Sequence, residues 1–243
     1  MTLVSRIRSL LPLTAATFLF AARIALAQLS GNIATTPVPR TASWWIARHQ
    51  QKLSEVQHSN PSLVFVGDSI TQNYESLYPD LWNQFFSPHQ ALNLGFSGDE
   101  TQHLLWRIQN GELQGLNPAN VVLLIGTNNT ARGQTAPQVT AGIIACVEDL
   151  HRLLPTAKIL ILNILPTAIT QEKSTKDKLI NRNINHHYAH SPYAQTLDLT
   201  HLFETNGATD PTLFYDPEAP LHPNVEGQRR MAEAVLQTLY PRQ

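Results

Sequence analysis

One cysteine, Cys146, in 243 residues leaves no partner for an internal disulfide, so no internal cross-link supports the fold. It falls within the pattern Val139, Ile143, Val147, Leu150 and Leu154, where a thiol packs as a small apolar group. Charge is also scarce: Asp, Glu, Lys and Arg make up 14% of the chain, and no basic run or stripe appears, which excludes the electrostatic footprint of a nucleic-acid partner. There is no Gly-x-Ser-x-Gly turn, no His-Glu-x-x-His helix and no phosphate-binding glycine loop. No repeat or low-complexity tract interrupts the chain, which therefore reads as one domain.

What the chain does have begins with a leader. Arg6 and Arg8 precede an apolar stretch over 10–20, and Ala25-Leu26-Ala27 forms a small-x-small site before Gln28. Residues 1–27 are expected to be a cleavable secretory signal peptide, because the apolar run is short for a bilayer and Arg23 interrupts its end. The product is then periplasmic or secreted, with no stable membrane insertion. Cleavage removes three arginines and no acid, so Lys plus Arg falls from 17 to 14 against 18 acids and the net charge moves from −1 to −4. Ser30 to Thr41 is rich in Thr, Pro and Ala, so 28–43 is expected as a flexible linker and 44–243 as the folded domain.

Hydrophobic residues make up 42% of the chain, enough for a sizeable core. Trp44 to Val56 reads as a helix that packs on a sheet. From Leu63 onward, strands near 63–66, 91–94, 121–125, 158–163 and 195–199 alternate with helical patterns. That alternation predicts an α/β fold with a five-stranded parallel sheet covered by helices on both faces.

The segment Leu63-Val64-Phe65-Val66-Gly67-Asp68-Ser69-Ile70-Thr71 is a buried-strand pattern that ends by presenting a serine at the carboxyl edge of the sheet, where open α/β sheets do chemistry. Asp-Ser after a strand is also an ordinary way to begin a helix. Two further strand-to-loop junctions, Gly95-Phe96-Ser97-Gly98-Asp99 and Gly126-Thr127-Asn128-Asn129, reach the same edge. Acyl transfer builds negative charge on a carbonyl oxygen. The Ser69 and Gly98 N–H groups with the Asn128 side-chain amide form a candidate set of donors for it, Gly98 because it lacks a Cβ and lets backbone approach closely. The base should be a histidine, whose pKa lies near neutrality. Among ten histidines, His222 stands on the loop before the last amphipathic segment, at the edge where Ser69 lies. His186 and His190, four apart beside His187, have the spacing of two metal ligands but lack a third nearby, so neither a metal nor a cofactor is expected.

Gly67-Asp68-Ser69-Ile70, Ser97-Gly98-Asp99, Gly126-Thr127-Asn128 and His222-Pro223-Asn224, in that order, resemble the four blocks of the SGNH/GDSL hydrolase superfamily. The nearest likeness is to its bacterial branch resembling the platelet-activating-factor acetylhydrolase catalytic subunit. Trp106-Arg107-Ile108-Gln109-Asn110-Gly111-Glu112-Leu113 and Ile125 to Thr130 add to the match, which covers roughly 44–240. The resemblance implies a flavodoxin-like three-layer α/β/α sandwich, Ser69 as nucleophile, Gly98 and Asn128 completing the oxyanion hole with the Ser69 amide, and His222 as general base.

One departure stands out. The family pattern has an aspartate three residues before the histidine, and here that position is Ala219. Glu218, Asp216, a backbone carbonyl or water could orient the imidazole instead. An ester has a better leaving group than an amide and asks less of the base, so a Ser-His dyad can suffice. The resemblance implies a serine esterase for short acyl groups, acetyl foremost, acting on a small-molecule, sugar or lipid ester. A lysophospholipase or thioesterase with a longer acyl groove and a non-catalytic ligand-binding member are the alternatives. Tyr74, Tyr78 and Trp82 could form an aromatic wall for a sugar ring or belong to the core.

Overall fold

A computed structural model of the protein describes residues 31–241; the expected signal peptide lies outside the described residues. Five short segments form the sheet: β1 (Leu63–Gly67), β2 (Ala91–Gly95), β3 (Asn120–Leu124), β4 (Lys158–Leu162) and β5 (Ala194–Leu197). All four pairings are parallel, in the order β2-β1-β3-β4-β5. The strands form here because runs such as Leu63-Val64-Phe65-Val66 are apolar on both sides of the pleat, and all five residues of β1 are buried. Every expected strand is present, with ends displaced by one or two residues.

Alternation along the strands divides the core in two. Val64, Val66, Leu92, Leu94, Val121, Leu123, Ile159 and Ile161 face one layer, while Leu63, Phe65, Val122, Leu124, Leu160 and Leu162 face the other. The first layer holds α1 (Ser43–Gln57), α3 (Thr101–Arg107), α5 (Ala136–Leu153) and α6 (Gln171–Tyr188); the second holds α2 (Ser69–Ser76) and α7 (Val225–Leu239). A five-residue helix, α4 (Thr127–Ala131), follows β3. The result is the expected three-layer α/β/α sandwich. Cys146 is fully buried on α5 among Val139, Ile143 and Leu150, and burial pushes its thiol well above the ordinary range, so it packs and does not react. Among the described residues, no helix is long and apolar enough to cross a membrane.

The compact unit begins at Ile33, ahead of the expected boundary at 44. Ala34 is fully buried, its carbonyl accepts from Thr101 Oγ1 at 2.7 Å, and Val38 N–H donates to the Gln102 carbonyl at 3.1 Å. Over 33–40, the stretch expected as linker is therefore a strap laid across the start of α3 and against Gly142 of α5. A composition rich in Pro and Thr reads as loose chain, but backbone hydrogen bonds to the helix start hold it in place.

Strand order sets the position of the site. The chain leaves β1 toward β2 on one side and later returns to β3 on the other, so the carboxyl ends of β1 and β3 flank the crevice where open α/β sheets bind ligands. The residues after β1, β2 and β3 all reach that crevice.

Candidate active site

Asp68 and Ser69 divide the start of α2 between them. Asp68 is the N-cap, its Oδ1 accepting from Ile70 N–H at 3.0 Å, and Ser69 is the first helical residue. The cap is thus the aspartate, and the serine hydroxyl takes no part in capping the helix. Asp68 is fully buried with its Oδ2 unpartnered, and burial pushes its carboxyl up to about 7. Ser69 Oγ lies 2.8 Å from His222 Nε2 across 153 residues of sequence, a hydrogen bond in which the hydroxyl donates when the neutral imidazole carries its proton on Nδ1.

The loop that carries His222 is fixed through its backbone. Tyr215 N–H donates to the His222 carbonyl at 2.8 Å, and Phe214 pairs with Pro223 as an isolated antiparallel bridge. Asn224 then caps α7, accepting from Glu226 and Gly227 N–H at 3.1 Å and donating to the Thr212 carbonyl at 2.7 Å. Asp216 acts within its own turn, where its Oδ1 accepts from the Glu218 and Ala219 N–H groups and closes the exposed bend in which the family's aspartate would stand. Among the described residues, no carboxylate hydrogen-bonds to His222, and neither Asp216 nor Glu218 reaches it. With burial acting alone, the imidazole is pushed below its ordinary range.

The loops that carry Gly98 and Asn128 meet on the other side of the crevice. The Asn128 side-chain amide donates to the Asp99 carbonyl at 2.9 Å, so the loop after β3 is tied to the loop after β2. Gly98 has φ +72°, a left-handed conformation that favours glycine, and this is a stronger demand than the close approach anticipated from the missing Cβ. The same loop is bound to α2 through Ser97 N–H to Gln72 Oε1 at 2.7 Å, and to β1 through Phe96 N–H to the Gly67 carbonyl at 3.0 Å.

Beneath this loop lies an ionic cluster that sequence reasoning recognised only as part of a motif. Arg107 is fully buried and donates to Asp99 Oδ2 at 2.8 Å, to Glu112, and to the Gly67 and Leu94 carbonyls at 3.2 Å, with its guanidinium 3.8 Å from the Phe96 ring centre. Trp45 Nε1 donates to Asp99 Oδ1 at 2.8 Å, and His49 Nδ1 pairs with Glu112 Oε1 at 2.7 Å. Burial pushes the Asp99 carboxyl above its usual range despite these donors. The signal available in the sequence was an arginine on the apolar face Leu104, Leu105, Ile108.

The remaining candidates separate. Tyr74 is core, 3% exposed, with its hydroxyl donating to the Gln228 carbonyl at 2.7 Å. Trp82 packs partly buried against the same core, and only Tyr78 approaches the histidine loop, donating to the Pro223 carbonyl at 3.3 Å. His186, His187 and His190 are exposed at the end of α6 and beyond it.

A model of the GDSL-like Lipase/Acylhydrolase family matches residues 65–230. Among curated proteins, rat platelet-activating factor acetylhydrolase IB subunit alpha1 is 37% identical over 155 residues, 63% of this chain and 65% of that protein. Chicken subunit alpha2 is 37% identical over 142 residues, 58% and 59% of the two chains. The matched stretch thus spans less than two thirds of these relatives. A GDSL-like lipase structure from Bacteroides thetaiotaomicron superposes with a TM-score of 0.65 at 21% identity, covering 79% of this chain and 97% of that one, a likeness of fold.

Proposed function

This chain belongs to the GDSL-like lipase/acylhydrolase family, and from that premise we propose that it is a serine hydrolase cleaving short-chain carboxylic esters, acetyl esters foremost, through an acyl-enzyme on Ser69. The observation that carries the reading is the 2.8 Å contact between Ser69 Oγ and His222 Nε2 at the switch point of the sheet. The curated acetylhydrolases at 37% identity support the acetyl preference. The alcohol side is a sugar, a lipid or a small metabolite. The leader over 1–27 favours an exported enzyme, periplasmic or secreted.

In this mechanism His222 accepts the Ser69 proton as Oγ attacks the ester carbonyl. The developing oxyanion is received by the Ser69 and Gly98 N–H groups and by the second hydrogen of the Asn128 amide, the first being given to the Asp99 carbonyl. His222 then passes its proton to the departing alcohol, and water repeats the sequence on the acyl-enzyme. The Tyr215 N–H on the His222 carbonyl and the Tyr78 hydroxyl on the Pro223 carbonyl hold the backbone of the histidine loop, and the imidazole works without the aspartate of the family pattern.

Initial rates on p-nitrophenyl esters from acetate to palmitate test the reading. Turnover that Ser69→Ala removes and that falls beyond butyrate is expected; a rate that rises toward the long chains would make the enzyme a lysophospholipase or thioesterase instead. The pH profile follows from the histidine's surroundings. Only the neutral imidazole accepts a proton, so activity is lost as pH falls through its pKa. With burial lowering that pKa and no carboxylate raising it, the acid limb of kcat/KM should have its midpoint below about 6.5 and level off toward neutrality. A midpoint above 7 would mean that an acid does pair with His222.

A further inference from the structure

The turn Ser97-Gly98-Asp99 uses nearly all of its backbone hydrogen-bonding capacity. Ser97 N–H donates to Gln72 Oε1 at 2.7 Å, and Asp99 N–H to the Phe96 carbonyl at 3.1 Å. Three carbonyls accept in succession: Ser97 from Arg40 at 2.8 Å, Gly98 from Arg132 at 3.1 Å, and Asp99 from Asn128 at 2.9 Å. Among the described residues, the Gly98 N–H is the one backbone group of the three that finds no partner. A donor left open in a turn so fully bonded is aimed at something outside the turn.

The carbonyl that Arg40 holds belongs to the same peptide unit as that N–H. The unit is planar and trans, so the N–H points opposite to the C=O and pinning the oxygen fixes the direction of the hydrogen. A cation on the oxygen also polarises the amide and makes its N–H a stronger donor. Arg40 is itself well fixed: its guanidinium is 3.9 Å from Asp99 Oδ1, lies 5.2 Å from the Trp44 ring centre, and its side chain is 24% exposed. It is carried by the strap that precedes the family match over 65–230.

We infer that Arg40 is a positioning residue for the oxyanion peptide, and that the N-terminal strap is thereby part of the catalytic apparatus. The inference rests on the hydrolase reading above. Its energetic consequence lies in the transition state, because the donor it aims meets full negative charge only there. A residue that merely braced the fold would instead alter stability and leave the per-site turnover of folded protein intact.

The test uses the full chain and its Arg40→Ala and Arg40→Lys variants, with melting temperatures measured beside kcat and KM on p-nitrophenyl acetate. Losing an oxyanion donor outright costs about 10²–10³ in kcat, so a misdirected one in Arg40→Ala should cost roughly 10- to 100-fold, with KM within about twofold. Millimolar guanidinium should restore part of that loss in Arg40→Ala and none in the wild type, and Arg40→Lys should fall between the two. The inference is overturned if Arg40→Ala retains kcat within about twofold, if the loss falls on KM alone, or if neither guanidinium nor lysine relieves it. Should Arg40→Ala fail to fold, Arg40→Lys decides alone, by a kcat loss with KM steady or by none. Wild-type turnover dependent on Ser69 is established first: its absence removes the hydrolase reading, whereas its presence with an unaffected Arg40 series removes only this inference.

Discussion

Ser69→Ala and His222→Ala are each expected to lower kcat on an acetyl ester by ~10³-fold or more, and the double variant by no more than the worse of the two. The non-additivity follows from geometry. Their 2.8 Å contact makes one device of two residues, so removing either leaves the other with nothing to do. Residual activity would come from the oxyanion donors, which neither substitution touches. Folding should be unaffected by Ser69→Ala, since the cap of α2 is made by Asp68 and not by the serine hydroxyl. Steady-state kinetics on all three variants check this. Losses that multiply in the double variant would place the serine and histidine in separate steps.

Arg107→Met should destabilise the protein by about 3–5 kcal/mol, the cost of removing one partner from a buried charge cluster. The size follows from what is stranded. Asp99 and Glu112 would face each other without their shared cation, and the Gly67 and Leu94 carbonyls would each lose a donor at the carboxyl ends of β1 and β2. For a domain of this size that is roughly 6–20 °C in Tm. Adding Asp99→Asn to Arg107→Met should recover part of the loss, because one stranded charge is gone. Arg229, exposed on α7 with Glu226 and Glu233, provides the contrast: Arg229→Met should leave the melting temperature unmoved. Urea denaturation reads both. A loss under about 1 kcal/mol for Arg107→Met would mean that the cluster relaxes around the gap.

The elements that were legible in the sequence are those whose cause is local. Leu63 to Val66 is apolar at every position, three of the four β-branched or aromatic, which favours a strand covered on both sides, and Gly67-Asp68 marks where it stops. His222 was found by its place before α7, whose spacing at Met231 and Val235 announced a helix. The site residues that escaped depend on partners far along the chain. Arg107 meets Asp99 eight residues away, but the Trp45 and His49 that complete the cluster lie more than fifty residues from Asp99 and Glu112. Arg40 sits in a stretch whose composition reads as loose, while what fixes it is a carbonyl 57 residues further on. The sign of φ at Gly98 has no local signature either. Tyr74 shows the converse: four residues after Ile70 on the same helix, it faces the core beside Phe65 and Phe86, which periodicity alone would have suggested.

The most direct measurement is intact-mass analysis of the full chain after exposure to a fluorophosphonate at pH 8, followed by peptide mapping. The reagent reports whether a nucleophilic serine, its base and the oxyanion donors act together, without requiring the natural substrate. A single adduct on Ser69, absent from Ser69→Ala and formed far more slowly in His222→Ala, is the expected result. An unmodified protein that melts cooperatively, or an adduct on any other residue, would contradict it.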